Sequence, residues 1–178
     1  MIMAHERQQA GIRSFLLPLS INGAAENVAC LFSQNQVVEI LGPRPVEYIP
    51  GSPGYLRGVM LYHDSLLPVV DLEALCDRHQ PVRQEQYRQL VVVRTGAVDP
   101  VTGESLKAVV SAKVRMQLAK ISGQELAQAS EQGKVPSSLR ESGLVRGCFR
   151  RQGDSVVLFD LGPVVQGTYA GRVREVCR

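Results

Sequence analysis

Two segments, YLRGVMLYHDSLLPVVDLEAL (Tyr55–Leu75) and LVRGCFRRQGDSVVLFDLGPVV (Leu144–Val165), decide how this chain is read. Arg-Gly opens each and Asp-Leu closes each. The Gly-to-Asp separation is 13 residues both times, Gly58 to Asp71 and Gly147 to Asp160. An ungapped offset of 89 residues also brings Arg57 onto Arg146, Leu72 onto Leu161, and the polar pair His63-Asp64 onto Gln152-Gly153. Apolar runs flank each polar pair, so each segment reads as strand, tight turn, strand. Such internal similarity marks a structural unit copied within one polypeptide.

Working outward, the other apolar runs are equally short. Phe15–Leu19, Val28–Phe32, Val37–Leu41, Leu90–Arg94 and Leu106–Ser111 have the length and bounding residues of strands, and a further strand is expected near Val114–Ile121. A strand pair thus precedes each copy of the hairpin. The stretch Gly96–Ser105 (GAVDPVTGES) carries Asp-Pro and Thr-Gly turn chemistry and is expected to be a hairpin loop. Pro68 has no N–H for a ladder, which predicts an edge or bulged position for its strand. Helix is scarce. Ser122-Gly-Gln-Glu125 has capping-box spacing and opens a helix toward Glu131, with Gly133 as its stop. Shorter helices are expected over Leu72–Arg78 and Gln84–Tyr87, and polar Asp77–Gln86 suits a connection between halves.

The expected fold is all-β with minor helix: two small five-stranded units, each closing into a barrel so that no sheet edge stays open. A flexible tail covers 1–13, one domain covers 14–167, and a tail or short helix covers 168–178. The first barrel is centred on 26–76 and the second on 88–165, with exchange of strands between the halves left open.

Composition excludes several classes. The chain has 178 residues, 44% hydrophobic and 21% charged, which suits a globular core rather than disorder. A net charge of +3, scattered basic residues, no Trp and 5% aromatics argue against nucleic-acid binding. No run reaches the ~20 apolar residues a membrane-spanning helix needs, and Met1–Ile21 lacks the pattern of a secretory signal. Cys30, Cys76, Cys148 and Cys177 are widely spaced without any C-x-x-C pair, and read as reduced thiols of a cytoplasmic protein.

The chemistry-bearing motifs are sparse. His63-Asp64-Ser65 looks like a hydrolase triad written in order, but neighbours on a strand point to opposite faces, and Asp64 is better explained as a turn residue. A hydrolase using His63 and Ser65 therefore ranks last, and no catalytic residue is assigned. Cys76 and His79 have metal-ligand spacing without a second pair, so no metal is assigned. No Gly-rich phosphate motif is present, and no cofactor is expected. Glu39 sits within apolar VVEIL, either as the outward side of a half-buried strand or as a charged rim contact. Gly58 and Gly147 read as bulges or close backbone approaches, and Asp71 and Asp160 as caps of the next turn or short helix.

The runs VVEI (Val37–Ile40), IPGSPGYLRGVM (Ile49–Met60) and LLPVVDLEAL (Leu66–Leu75), with GLVRGCFRRQGDSVVLFDL later, resemble the CheW family over roughly Ser14 to Gly167. The resemblance implies two SH3-like five-stranded barrel subdomains packed together, and a non-enzymatic adaptor. It implies two protein partners: a CheA-type histidine kinase and the cytoplasmic tip of a methyl-accepting chemoreceptor. Localisation would be cytoplasmic, with recruitment to membrane-bound receptor arrays and no direct membrane insertion. Partner contacts are expected at Val37, Glu39, Ile40, Arg57, Gly58 and His63. The sequence departs from the family where Leu61-Tyr62-His63-Asp64 replaces the usual Asn-Leu-Arg-Gly, exchanging a bidentate Arg fork for His63. That departure also fits a CheW-like module of a variant pathway, such as surface sensing or pilus control, that has lost the usual receptor contacts.

Overall fold

The computed structural model describes residues 11–21, 24, 27–76, 87–127 and 142–169. Its strands are β1 (Ile12–Leu19), β2 (Val28–Ser33), β3 (Val37–Leu41), β4 (Leu56–Tyr62), β5 (Ser65–Asp71), β6 (Gln89–Val98), β7 (Ser105–Ala112), β8 (Gln117–Ile121), β9 (Val145–Arg151) and β10 (Asp154–Phe159). Short helices α1 (Leu72–Cys76), α2 (Gly123–Ala127) and α3 (Gly162–Val165) follow β5, β8 and β10. The expected connection at 77–86, most of the expected 84–87 helix, and the helix stop at Gly133 lie outside the described residues. Strand β1 takes in Ile12 and Arg13, which the sequence left to the tail.

The strands form two five-stranded sheets, ordered β8-β1-β2-β10-β9 and β3-β6-β7-β5-β4. Numbering the strands by repeat, β1–β5 and β6–β10, turns one order into the other. Each sheet therefore takes its first two strands from one copy and its last three from the other. The division into centres at 26–76 and 88–165 does not follow the sheets, because the copies have exchanged strands. Unit 1 holds Met1–Asn35 with Arg115–Phe159, and unit 2 holds Gln36–Val114 with Asp160–Arg178.

The duplicated hairpins agree residue for residue. Gly58 pairs with Val69 and Gly147 with Leu158; Met60 pairs with Leu67 and Phe149 with Val156; Tyr62 pairs with Ser65 and Arg151 with Asp154. Both ladders shift register at the Arg before the Gly. Both turns open on a non-glycine residue at positive φ, His63 at 50° and Gln152 at 53°. The third matching pairing is parallel, β5 on β7 and β10 on β2.

Each sheet curls around its own apolar cluster, fed by all five strands. In unit 2 the cluster comprises Leu41, Met60, Tyr62, Leu67, Val69, Leu90, Val92 and Val109. In unit 1 it comprises Leu16, Leu31, Ile121, Phe149 and Val156. Side chains from both edge strands meet in these clusters, but no backbone ladder joins β3 to β4 or β8 to β9. The expected barrels are thus SH3-like curled sheets whose edges close through side chains. Burial of these side chains is the dominant favourable term, about 1.5–3 kcal/mol for each large apolar group.

Two local expectations have definite outcomes. Ser122 Oγ accepts the Glu125 N–H at 3.2 Å and Glu125 Oε2 accepts the Ser122 N–H at 2.7 Å, a complete capping box opening α2. Strand β5 is not at an edge, since it lies between β7 and β4. Pro68 is accommodated because pairing to β7 begins only at Val69, one residue later, so no ladder bond to β7 is asked of its nitrogen.

Candidate functional site

The turn at His63 lies at one end of unit 2, and the residues around it come from strands at opposite edges of one sheet. Curling brings these edges together: the Tyr62 hydroxyl on β4 donates to Glu39 Oε2 on β3 at 2.8 Å. That bond raises the Tyr62 pKa above its ordinary value, because the neutral hydroxyl is the donor to the carboxylate; burial adds to the shift. The His63 ring packs edge-on against the Tyr62 ring, with centroids 4.3 Å apart. Glu39 and Ile40 are exposed, and Val37 is half-buried.

Strand alternation settles what else this end presents. Met60 and Leu67 pair on the core side, and the next pair, Leu61 with Leu66, faces the other way. These leucines are 65% and 67% exposed, an apolar pair beside the acidic turn residue Asp64. The same face carries the half-buried pair Val59 and Pro68. Leu61 and Leu66 are not among the contacts expected from sequence, although the two-residue turn at His63-Asp64 implies their pairing. Strand β4 is apolar in both phases near its end, which hides the exposed row.

Arg57 and Gly58, expected as contacts, are held by the fold. Arg57 Nε donates to Asp71 Oδ2 at 2.9 Å, and Nη2 donates to the same oxygen. The other Asp71 oxygen accepts the N–H groups of Glu73 at 2.9 Å and Ala74 at 3.1 Å, capping α1 as the sequence suggested. With side chains only 15% and 6% exposed, Arg57 and Asp71 form a mostly buried pair tying the β4 bulge to the start of α1. Gly58 is buried at φ +144°, and a Cβ there would stand 2.1 Å from the Glu47 carbonyl oxygen. Its glycine is needed because the backbone of Glu47 bridges Val59 with two hydrogen bonds of 2.8 and 2.9 Å.

The residues that resemble a triad in sequence make no hydrogen bond to one another among those the structure shows, and each of two of them meets Tyr62. Ser65 pairs in register with Tyr62, while the ring contact of His63 is with Tyr62 itself. Cys30 and Cys76 are buried and Cys148 is half-buried; His79 and Cys177 lie outside the described residues. Among the described residues no three His, Cys, Asp or Glu groups gather where they could hold a metal ion. Among them, too, no helix is long and apolar enough to cross a membrane.

Two five-stranded sheets of matching strand order, built from two copies of one unit, define the class of fold. A family model for the CheW-like domain matches residues 23–168, and the chain belongs to that family. Among solved structures, the scaffolding protein TtCheW from Thermoanaerobacter tengcongensis shares the fold, with a TM-score of 0.57 at 14% identity over 86% of this chain and 92% of that one. No curated protein sequence matches. At the level of the family this is a scaffold or adaptor of chemotaxis-type signalling rather than an enzyme.

Proposed function

We propose that this protein is a non-enzymatic adaptor that couples the cytoplasmic tips of methyl-accepting chemoreceptors to a CheA-type histidine kinase. It would act in the cytoplasm and be recruited to membrane-bound receptor arrays. The observation that carries the reading is the exposed end of unit 2. There Tyr62 links Glu39 of β3 to His63, with exposed Ile40 on the same strand and Leu61 and Leu66 on the adjoining hairpin. Apolar anchors rimmed by charge are what protein interfaces use at their centres and margins. Arg57 and Gly58 contribute by holding the hairpin in place.

The test is co-sedimentation of the purified chain with a CheA-type kinase and receptor-containing membranes from the same cell. Ile40→Glu and the double change Leu61→Lys, Leu66→Glu, which sets opposite charges across the strand pair, should each weaken recruitment at least tenfold while leaving the melting temperature near that of the parent. Unchanged recruitment by both variants would overturn the assignment of this surface. A second reading, a CheW-like module of a variant pathway without the usual receptor contacts, is favoured by His63-Asp64 standing where the family reads Arg-Gly. Kinase binding without receptor binding in the same experiment would select it.

A further inference from the structure

The four edge strands are finished differently. Strand β4 is covered by the Glu47 bridge, β9 by α2, whose Glu125 Oε1 accepts Arg151 Nε at 3.2 Å, and β3 is reached by the Tyr62 hydroxyl. Strand β8 ends its sheet, and among the described residues no strand or bridge pairs its far side. Side chains of β8 and β9 meet in the core, but a backbone edge without a ladder partner offers a row of donors and acceptors able to pair with another extended chain.

The side chains beside that edge point to the kind of chain it would take. Lys120 of β8 lies directly opposite Arg13 of β1, and both are exposed. Two like charges in direct cross-strand register destabilise a sheet, and among the described residues neither has an ion-pair partner. On the same face of β8, two residues earlier, Leu118 is 70% exposed and opposes half-buried Phe15. At the matching register in the other sheet Ile40 faces fully buried Val91, so the basic pair is particular to β8.

We propose that β8 is a docking edge for an extended acidic and apolar segment of a partner protein, which adds to the sheet as a further strand. The added backbone completes the ladder, a carboxylate on the segment sits against Arg13 and Lys120, and an apolar side chain two residues away covers Leu118. This is recognition by strand addition, in which main-chain bonds hold the segment and alternate side chains select it. It does not depend on which kinase or receptor the exposed end of unit 2 serves.

The probe is a synthetic peptide of alternating glutamate and valine, titrated into the full chain by fluorescence anisotropy, with amide hydrogen exchange read in parallel. Saturable binding is expected, with slowed exchange confined to Gln117–Ile121 and neighbouring β1. Arg13→Glu places a carboxylate opposite Lys120, so it should weaken the peptide at least tenfold without lowering the melting temperature. A peptide N-methylated along its pairing edge, and a peptide of alternating lysine and valine, should each lose binding. Failure of the glutamate–valine peptide to bind, equal binding by either control peptide, indifference to Arg13→Glu, or protection appearing at another edge would each overturn the proposal.

Discussion

The β4–β5 and β9–β10 hairpins share register, bulge position and turn length, yet they do different work. In the first, Gly58 is pressed against a backbone carbonyl at positive φ; in the second, a Cβ at Gly147 would meet only Leu158 Cδ1 at 3.6 Å, an ordinary contact. The Asp closing the first hairpin holds both the half-buried Arg57 and the first turn of α1. Its counterpart Asp160 accepts the Gly162 N–H at 2.8 Å. At the tips, exposed Leu61 and Leu66 correspond to exposed Arg150 and buried Ser155. Duplication preserved the backbone pairing, and divergence gathered the tight packing and the apolar tip into one copy.

Substituting the paired glycines is the sharpest way to break this comparison. Gly58→Ala should cost about 3 kcal/mol or more, since it adds a clash to a strained φ. Gly147→Ala should change stability by no more than about 1 kcal/mol in either direction. Urea denaturation of the two variants measures both, and equal effects would mean that the hairpins are not specialised as described. The closing aspartates rank next. Asp71→Ala, which removes both the α1 cap and the carboxylate that Arg57 meets, should cost about 2–3 kcal/mol, against about 1 kcal/mol for Asp160→Ala.

The tips should differ in function more than in stability. Leu61→Lys with Leu66→Glu should weaken partner recruitment at least tenfold, while Arg150→Glu should leave recruitment by the unit 2 surface intact, both folded by circular dichroism. The smallest effect concerns acid. Glu125 has its pKa held below the ordinary carboxylate value, chiefly by the Ser122 N–H, with Ser122 Oγ and Arg151 assisting. A depressed carboxylate contributes stability above its unfolded pKa and loses it as pH falls through the folded one. Glu125→Gln should therefore flatten the acid limb of a stability–pH curve by about 0.5 kcal/mol, a small figure because the side chain is one-third exposed. No change on that limb would show that the capping box contributes nothing to global stability.

Much of the fold can be read without coordinates. The ten strands, the two matched hairpins and the Ser122–Glu125 box come from alternation, turn chemistry and capping spacing, which act over a few residues. The candidate site is legible only in part. Glu39, Ile40 and His63 do lie at the exposed strand end, but the grounds for naming them come from family resemblance rather than from burial. Leu61 and Leu66 stay hidden because β4 is apolar in both phases. Arg57, expected as a contact, also pairs with Asp71, which its sequence position does not show.

By itself, the sequence determined where strands run, where they turn, and that one unit occurs twice, because hydrogen bonds between neighbours on a hairpin are decided by neighbouring residues. Only the tertiary structure decided that the copies trade strands, that Glu47 crosses beside Gly58, and that Arg13 and Lys120 stand opposed beside the β8 edge. Those facts depend on which distant segments share a sheet, and two copies of one pattern satisfy the same local rules whether their strands are exchanged or not.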